Sequence, residues 1–373
     1  MYKLNDMRLS RFRFDLPKEL IAQYPLAYRE DAKLMVLHKK KGEIEHTTVA
    51  HVADYFNEGD MFVFNDTATF PARLHGKKEK TLADIEIFLL RELHEGNKYW
   101  DVLVDPARKI RIGNKLLFDD DPAIIAEVID NTTSRGRTFR FLTDYTADEL
   151  RKRFYEMGTT PIPKYIVRPL EGEELDAFHE EFPDRTPEEV DVERYQSIFA
   201  KNIGAVAAPA TCLHFSQHTL TRMEIRGIEW GCITSHVNLG NFRPVDVEDL
   251  TKHHVESEEV IITREMADHV NHVREKGGHI CAVGTEILRA LETIAGTGGR
   301  IKEYNGWINK FIYPPYLFGA AEAFMGNFYF PLSVQHLMTV AFGGNELTME
   351  AYRQAVEKGY RFGDYGDSIL ILD

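Results

Sequence analysis

Hydrophobic periodicity changes character once along this chain, and that change demands two separately built parts. From about Asp60 to Leu142, short β-like runs alternate with turn signals. They are Met61–Asn65, Ile85–Leu90, Tyr99–Val104, Lys115–Phe118, Ile124–Ile129 and Thr138–Leu142, with Gly76, Gly96-Asn97, Gly113-Asn114 and Gly136 between them. Asp84–Leu89 alternates polar with apolar, as a half-buried strand does. Short strands at this spacing predict a small antiparallel barrel or sandwich.

After Ile203 the period shifts. Ile228–Val237, His279–Val283 and Ser368–Leu372 read as strands. Thr263–Lys276, Thr285–Ala295, Ser333–Phe342 and a last helix capped by Thr348 and ended at Gly359 read as helices. Strands alternating with amphipathic helices predict an α/β domain. The first sixty or so residues lack barrel texture and go with the α/β part. The expected division is therefore 1–62 with 152–373 as a discontinuous α/β domain, and 63–151 as an interposed β-barrel. The acidic, proline-punctuated segment Leu170–Val190 reads as a surface loop.

A length of 373 residues suits two ordinary domains. The chain has no run of about 18 apolar residues, so no membrane span is expected. Its beginning lacks the apolar stretch of a secretory signal. Three scattered cysteines, Cys212, Cys232 and Cys281, make no disulfide framework. These features predict a soluble, cytoplasmic protein. A net charge of -14 argues against strong non-specific binding to nucleic acid. The basic clusters Lys77-Lys78 with Lys80, Arg108-Lys109 with Arg111, Arg135 with Arg137 and Arg140, and Arg151-Lys152-Arg153 leave room for local RNA contact beside the ordinary reading as solvated faces.

Familiar chemical motifs are scarce. The chain has neither G-x-G-x-x-G nor a Walker A pattern, and Val283-Gly284-Thr285-Glu286 reads as a tight strand-to-helix turn. His253-His254 and the His269/His272 pair do not amount to a metal set, and no metal is expected. Cys212, two residues from His214, is either a nucleophile with its base or a small buried hydrophobe, and the second reading is favoured. The stronger signal is polar residues at strand ends: Asn65-Asp66-Thr67 leading to Arg73, then Arg194 and Gln196, then the loop from His236 through Arg243. Such loops are where α/β folds bind ligands.

Eleven segments, taken together and in order, resemble the S-adenosylmethionine:tRNA ribosyltransferase-isomerase family of queuosine biosynthesis. They begin with Asp15-Leu16-Pro17 and include FNDTATFPARL at Phe64–Leu74, DPARKIRIG at Asp105–Gly113 and TPIPKYI at Thr160–Ile166. VERYQSIFA at Val192–Ala200, GAVAAPATCLHF at Gly204–Phe215, HVNLGNFRPV at His236–Val245 and AVGTEILRALE at Ala282–Glu292 follow. FIYPPY at Phe311–Tyr316, NFYFP at Asn327–Pro331 and YRFGDYGDSILI at Tyr360–Ile371 close the set.

The resemblance implies a mixed α/β fold, with a large α/β barrel-like domain and an inserted small antiparallel β-barrel. It also implies a reaction. The ribosyl part of S-adenosylmethionine is transferred to 7-aminomethyl-7-deazaguanine in tRNA and rearranged to epoxyqueuosine, releasing adenine and methionine. S-adenosylmethionine is then a co-substrate and no cofactor stays bound. The partner is a tRNA anticodon loop, and the protein is a monomer or weak oligomer. A base must take a proton beside the sulfonium, a donor must serve the departing adenine, and the flipped-out base needs stacking. Residues in matching motifs that suit the proton transfers are His214, Glu292, His236 and Asp367. Asn65, Asp66, Arg73, Arg194, Gln196, Thr211, Arg243 and Glu258 suit binding.

The chain also departs from the family pattern at Ala68, Cys212, Asn238, Glu256, Glu286 and Tyr329. Cys212 and Asn238 stand where glycine is usual, adding bulk where a ligand could approach. Beside the enzyme reading stands an alternative: a paralogue of the same fold that binds another nucleoside-type ligand or acts without catalysis.

Overall fold

The computed structural model describes residues 8–93, 96–133, 135–237 and 244–373. The chain divides into two compact units, Met1–Ala68 with Pro163–Asp373, and Thr69–Ile162.

The larger unit is built on a nine-stranded mixed sheet. Its strands lie in the order Tyr304–Ile308, Glu258–Ile262, Glu229–His236, Met61–Asn65, Ile280–Val283, Ala323–Asn327, Ser368–Leu372, Lys33–His38 and Glu43–Thr48. This sheet, with two edges, is the form that the expected barrel-like α/β domain takes. The four strands from Glu229–His236 to Ala323–Asn327 run parallel, and Ser368–Leu372 runs antiparallel to them.

A parallel core must be covered on both faces, so its strands read as unbroken apolar runs. Met61–Asn65 is buried at every position. Its alternate side chains enter two cores: Met61 and Val63 join Ile280 and Ala282 on one face, and Phe62 and Phe64 join Cys281 and Val283 on the other. The Arg264–Glu275 and Thr285–Ile294 helices cover the first face through Met266, Val270, Val273, Ile287 and Leu291. The Gln217–Ile225 helix covers the second through Leu220 and Met223.

The smaller unit is a closed six-stranded antiparallel barrel. In order around it run Gly136–Leu142, Tyr99–Asp105, Asp84–Glu92, Arg73–Lys78, Lys115–Leu117 and Ile125–Asn131. Closure leaves no edge strand exposed. Tyr99–Asp105 alternates half-buried with buried positions throughout, sending Trp100, Val102 and Val104 inward.

The structure corrects several expectations. Met61–Asn65 belongs to the large sheet, because its apolar run suits a strand covered on both faces. The barrel's missing strand is Arg73–Lys78, whose charged residues hid it. The division therefore falls after 68 and 162 rather than at 63 and 151. Leu170–Val190 is helical: Glu173–Glu181 and Pro187–Arg194 bury Phe178 and Val190 against Leu170 and Phe182. Thr348 lies inside the last helix, Asn345–Glu357, which Gly344 caps.

The basic clusters of the barrel unit are largely ion-paired. Arg135 meets Asp105 at 3.1 Å, Arg140 meets Glu127 at 2.5 Å and Arg153 meets Asp121 at 2.6 Å. Arg108, Lys109 and Arg111 remain exposed.

Candidate active site

In an open parallel sheet, ligands bind beyond the carboxyl ends of the strands. Here those ends place Asn65, His236, the Gly284–Glu286 turn and Asn327 along one border of the sheet. The antiparallel Ser368–Leu372 strand brings its preceding turn, Gly363–Asp367, to the same border.

Glu286 is the notable group there. It is the second residue of the Thr285–Ile294 helix, and it follows Gly284, whose φ of 93° a side chain rarely adopts. Its side chain is buried, and its Oε1 has no hydrogen-bond partner among the described residues. Burial pushes its carboxyl up to about 7, opposed by the Asn65 amide and the Thr285 hydroxyl. It lines a cavity with Glu258, Thr285, Arg289, Tyr329, Gln335 and Asp364. Within that cavity Glu258 and Arg289, both buried, form an ion pair. Tyr329 also lies against Thr211, with 3.3 Å between hydroxyls.

Asp364 borders this cavity and two more. Tyr165 and Tyr195 donate hydroxyl hydrogen bonds to its two oxygens at 2.6 and 2.7 Å. Burial raises its carboxyl, and the two hydroxyls oppose that shift. One adjoining cleft is mainly apolar and lined by Tyr165, Pro244, Tyr329, Phe330 and Pro331. The other is lined by Arg29, Arg194, Arg361 and His214.

His214 is buried beside this second cleft. Asn327 donates its amide to the carbonyls of Gly363 and Asp364 at 2.9 and 3.3 Å, which leaves Oδ1 as an acceptor. His214 Nε2, 3.1 Å away, must donate to it. Burial lowers the imidazole to about 4, so the ring is neutral with Nδ1 unprotonated. His214 thus fixes Asn327, and Asn327 fixes the backbone of Asp364.

The remaining sequence candidates fall into three groups. Thr211, Glu258, Arg194 and His214 are at or beside these cavities. Asn65, Asp66 and His236 brace strand ends. Asn65 Nδ2 donates to the Ser235 carbonyl at 2.9 Å. Asp66 accepts from Thr234 and Asn202 at 2.6 and 3.1 Å. His236 contacts Thr67 Oγ1 at 2.8 Å, and burial lowers its imidazole. The Gln196 carbonyl accepts from Arg29 at 3.0 Å.

The third group lies elsewhere. Glu292 accepts from the amides of Gly319 and Ala320 at 3.0 and 2.8 Å and lines none of these three cavities. Asp367 accepts from the amides of Lys33 and Arg361 at 2.8 and 2.7 Å. Arg73 belongs to the barrel unit, where it donates to Glu86 and to the Ile162 carbonyl, both at 2.8 Å. Arg243 and Asn238 lie outside the described residues.

Cys212 sits in a short 3-10 helix, Ala210–His214, so the same-face argument drawn for a strand does not apply. Its side chain packs with Phe62, Phe64 and Phe215, and burial holds the thiol well above its ordinary range. The bulk added there enters the core. Ala68 is buried and Glu256 is exposed. Among the described residues, no group of three His, Cys, Asp or Glu is placed to hold a metal, and no helix is long and apolar enough to cross a membrane.

Sequence reasoning missed Asp364, Arg289, Arg29 and Arg361, and treated Glu286 and Tyr329 only as departures. The signal for Asp364 was its place in Gly363-Asp364-Tyr365-Gly366, a polar turn entering a buried strand. Glu286 and Tyr329 share one cavity, which distance in sequence concealed.

Residues 9–371 match the family described as queuosine biosynthesis protein. The chain is similar to the S-adenosylmethionine:tRNA ribosyltransferase-isomerase of Bacteroides fragilis, with 54% identity over 98% of this chain and 100% of that one. It is 52% identical, with the same coverage, to the protein of that name from Flavobacterium psychrophilum. Among solved structures it resembles the S-adenosylmethionine tRNA ribosyltransferase of Thermotoga maritima, with a TM-score of 0.52 and 28% identity over 97% of this chain and 100% of that one.

Proposed function

Because the chain belongs to the queuosine biosynthesis family and is an S-adenosylmethionine:tRNA ribosyltransferase-isomerase, we propose that Glu286 is the base that takes the proton beside the sulfonium. Full-length identity of 54% to a protein named as that enzyme favours catalysis over the paralogue alternative. S-adenosylmethionine is the co-substrate and tRNA the acceptor. The finer assignment is that the acceptor base is 7-aminomethyl-7-deazaguanine in an anticodon loop, met in the cytoplasm.

One observation carries the assignment of Glu286: a buried carboxylate with an orphaned oxygen, lining a cavity and held near neutrality. A base tuned to the working pH is populated in its active form and still accepts a proton readily. A carboxylate is also the right charge to face a sulfonium cation. Glu258 is the poorer candidate, since Arg289 holds its charge. His214 is neutral but committed to Asn327, and we assign it to positioning.

The apolar cleft of Tyr165, Tyr329 and Phe330 suits a flat heterocycle, because aromatic faces stack bases without sequence readout. Exposed Arg108, Lys109 and Arg111 on the barrel unit suit phosphate contacts with tRNA. Incubation with S-adenosylmethionine and tRNA bearing the aminomethyl base tests the reading. Adenine release by the wild type and its loss in Glu286→Gln are expected. Unchanged release in that variant overturns the assignment.

A further inference from the structure

Three guanidinium groups, those of Arg29, Arg194 and Arg361, line one small cleft beside His214 and Asp364. Among the described residues, none of the three forms an ion pair. The carboxylates that act on them electrostatically, Glu30, Glu193, Glu181 and Asp367, have other partners, Glu181 accepting from the Ala27 amide at 2.9 Å. Glu30 meets His218 at 3.6 Å, Glu193 meets Arg185 at 2.7 Å, and Asp367 accepts two backbone amides. The Asp364 oxygens are taken by two tyrosine hydroxyls.

The guanidiniums are held by backbone carbonyls. Arg29 donates to Leu213 and Gln196, Arg194 to Ala27, and Arg361 to Tyr24 and Tyr365. Each has five N–H groups, and these bonds use only one or two of them. Arg194 is 7% exposed, and its Nε has no partner. Burial and the neighbouring Arg194 charge lower Arg29 to about 10. Like charges gathered in a partly dry cleft, with donors to spare, are the complement of an oxoanion.

We propose that this arginine cleft binds the carboxylate of the methionyl group of S-adenosylmethionine. Asp364 lines both this cleft and the Glu286 cavity, the adjacency that a ligand with its sulfonium at Glu286 and its carboxylate among the arginines requires. The proposal rests on the S-adenosylmethionine reading of the Glu286 cavity. A tRNA phosphate offers similar oxygens, and the titrations below separate the two sources.

The test is equilibrium titration of the full-length protein with S-adenosylmethionine and with its decarboxylated analogue. Loss of a charged, multidentate contact predicts about tenfold to hundredfold weaker binding of the analogue. Arg194→Gln and the milder Arg194→Lys should weaken S-adenosylmethionine binding while leaving the analogue's affinity and the salt dependence of tRNA binding as they are. The wild-type comparison needs no variant, so it stands even if a variant misfolds. Equal binding of the two ligands by the wild type overturns this inference alone, as does a variant that loses only tRNA affinity. No binding of S-adenosylmethionine at all overturns the functional reading, and this inference with it.

Discussion

The Glu286 carboxylate folds back over Gly284 so closely that a Cβ on Gly284 would collide with Oε1. Gly284 also takes a φ of 93° and donates its amide to the Met325 carbonyl at 2.8 Å. The glycine in this turn is therefore needed twice, once for its backbone and once for the space that Glu286 occupies. Gly284→Ala is predicted to cost about 1–3 kcal/mol of stability. It should also lower the rate of adenine release at least about tenfold, because a displaced base loses its alignment. Chemical denaturation and single-turnover kinetics check the two effects separately.

Glu286 should leave a mark on stability as well as rate. Its folded carboxyl sits at about 7, above the ordinary 4.5. Between those values the folded state holds a proton that the unfolded chain has lost, so stability falls as pH rises through that window. The effect is of order 3 kcal/mol at most. Glu286→Gln should gain stability over the wild type above pH 7 and lose this slope, as urea midpoints across pH will show.

The opposite sign applies to His336. Both its ring nitrogens are buried without a partner among the described residues, and the ring packs against Phe14 and Tyr352 at 5.1 and 4.5 Å. Burial lowers it to about 3, from 6.5. The unfolded chain then binds the proton first as pH falls, so stability declines below about pH 6.5 by up to about 1.4 kcal/mol per pH unit. His214, at about 4, adds a similar slope. His336→Phe keeps the ring contacts and removes one titration, so its stability should fall less steeply below pH 6.5.

Asp367 and Glu292 each accept two backbone amides and line none of the three cavities. Asp367 ties the start of the Lys33–His38 strand to Arg361 through two amides. Asp367→Ala is predicted to cost about 2–4 kcal/mol by orphaning those donors. Urea midpoints of the variant and the wild type check the loss.

The fold was largely legible because long-range packing here follows local period. Strands alternating with amphipathic helices, such as Ile280–Val283 before Thr285–Ile294, marked the α/β unit, and alternation in Asp84–Glu92 marked the barrel. Arg73–Lys78 was not legible, since its outward charges mask an inward Leu74. The acidic helix Glu173–Glu181 was read as loop because few of its positions are apolar; a single deeply buried Phe178 anchors it. The candidate cavities lie on the border that the sequence marked, with a lining that it did not assemble. Strand-end polar residues fall on that border, where Asn65 and Asp66 hydrogen-bond to the neighbouring strand end. Glu286, Tyr329 and Asp364 converge from three separate segments, a relation that only tertiary structure supplies.

The central claim is that Glu286 is the base, and the pH profile of adenine release under single-turnover conditions tests it most directly. The wild type should show a rate that rises with pH through an apparent pKa of about 7, matching the raised carboxyl. Glu286→Gln should lower the rate about 10²- to 10⁴-fold and lose that limb. A Glu286→Gln variant that keeps both the rate and the limb would contradict the claim.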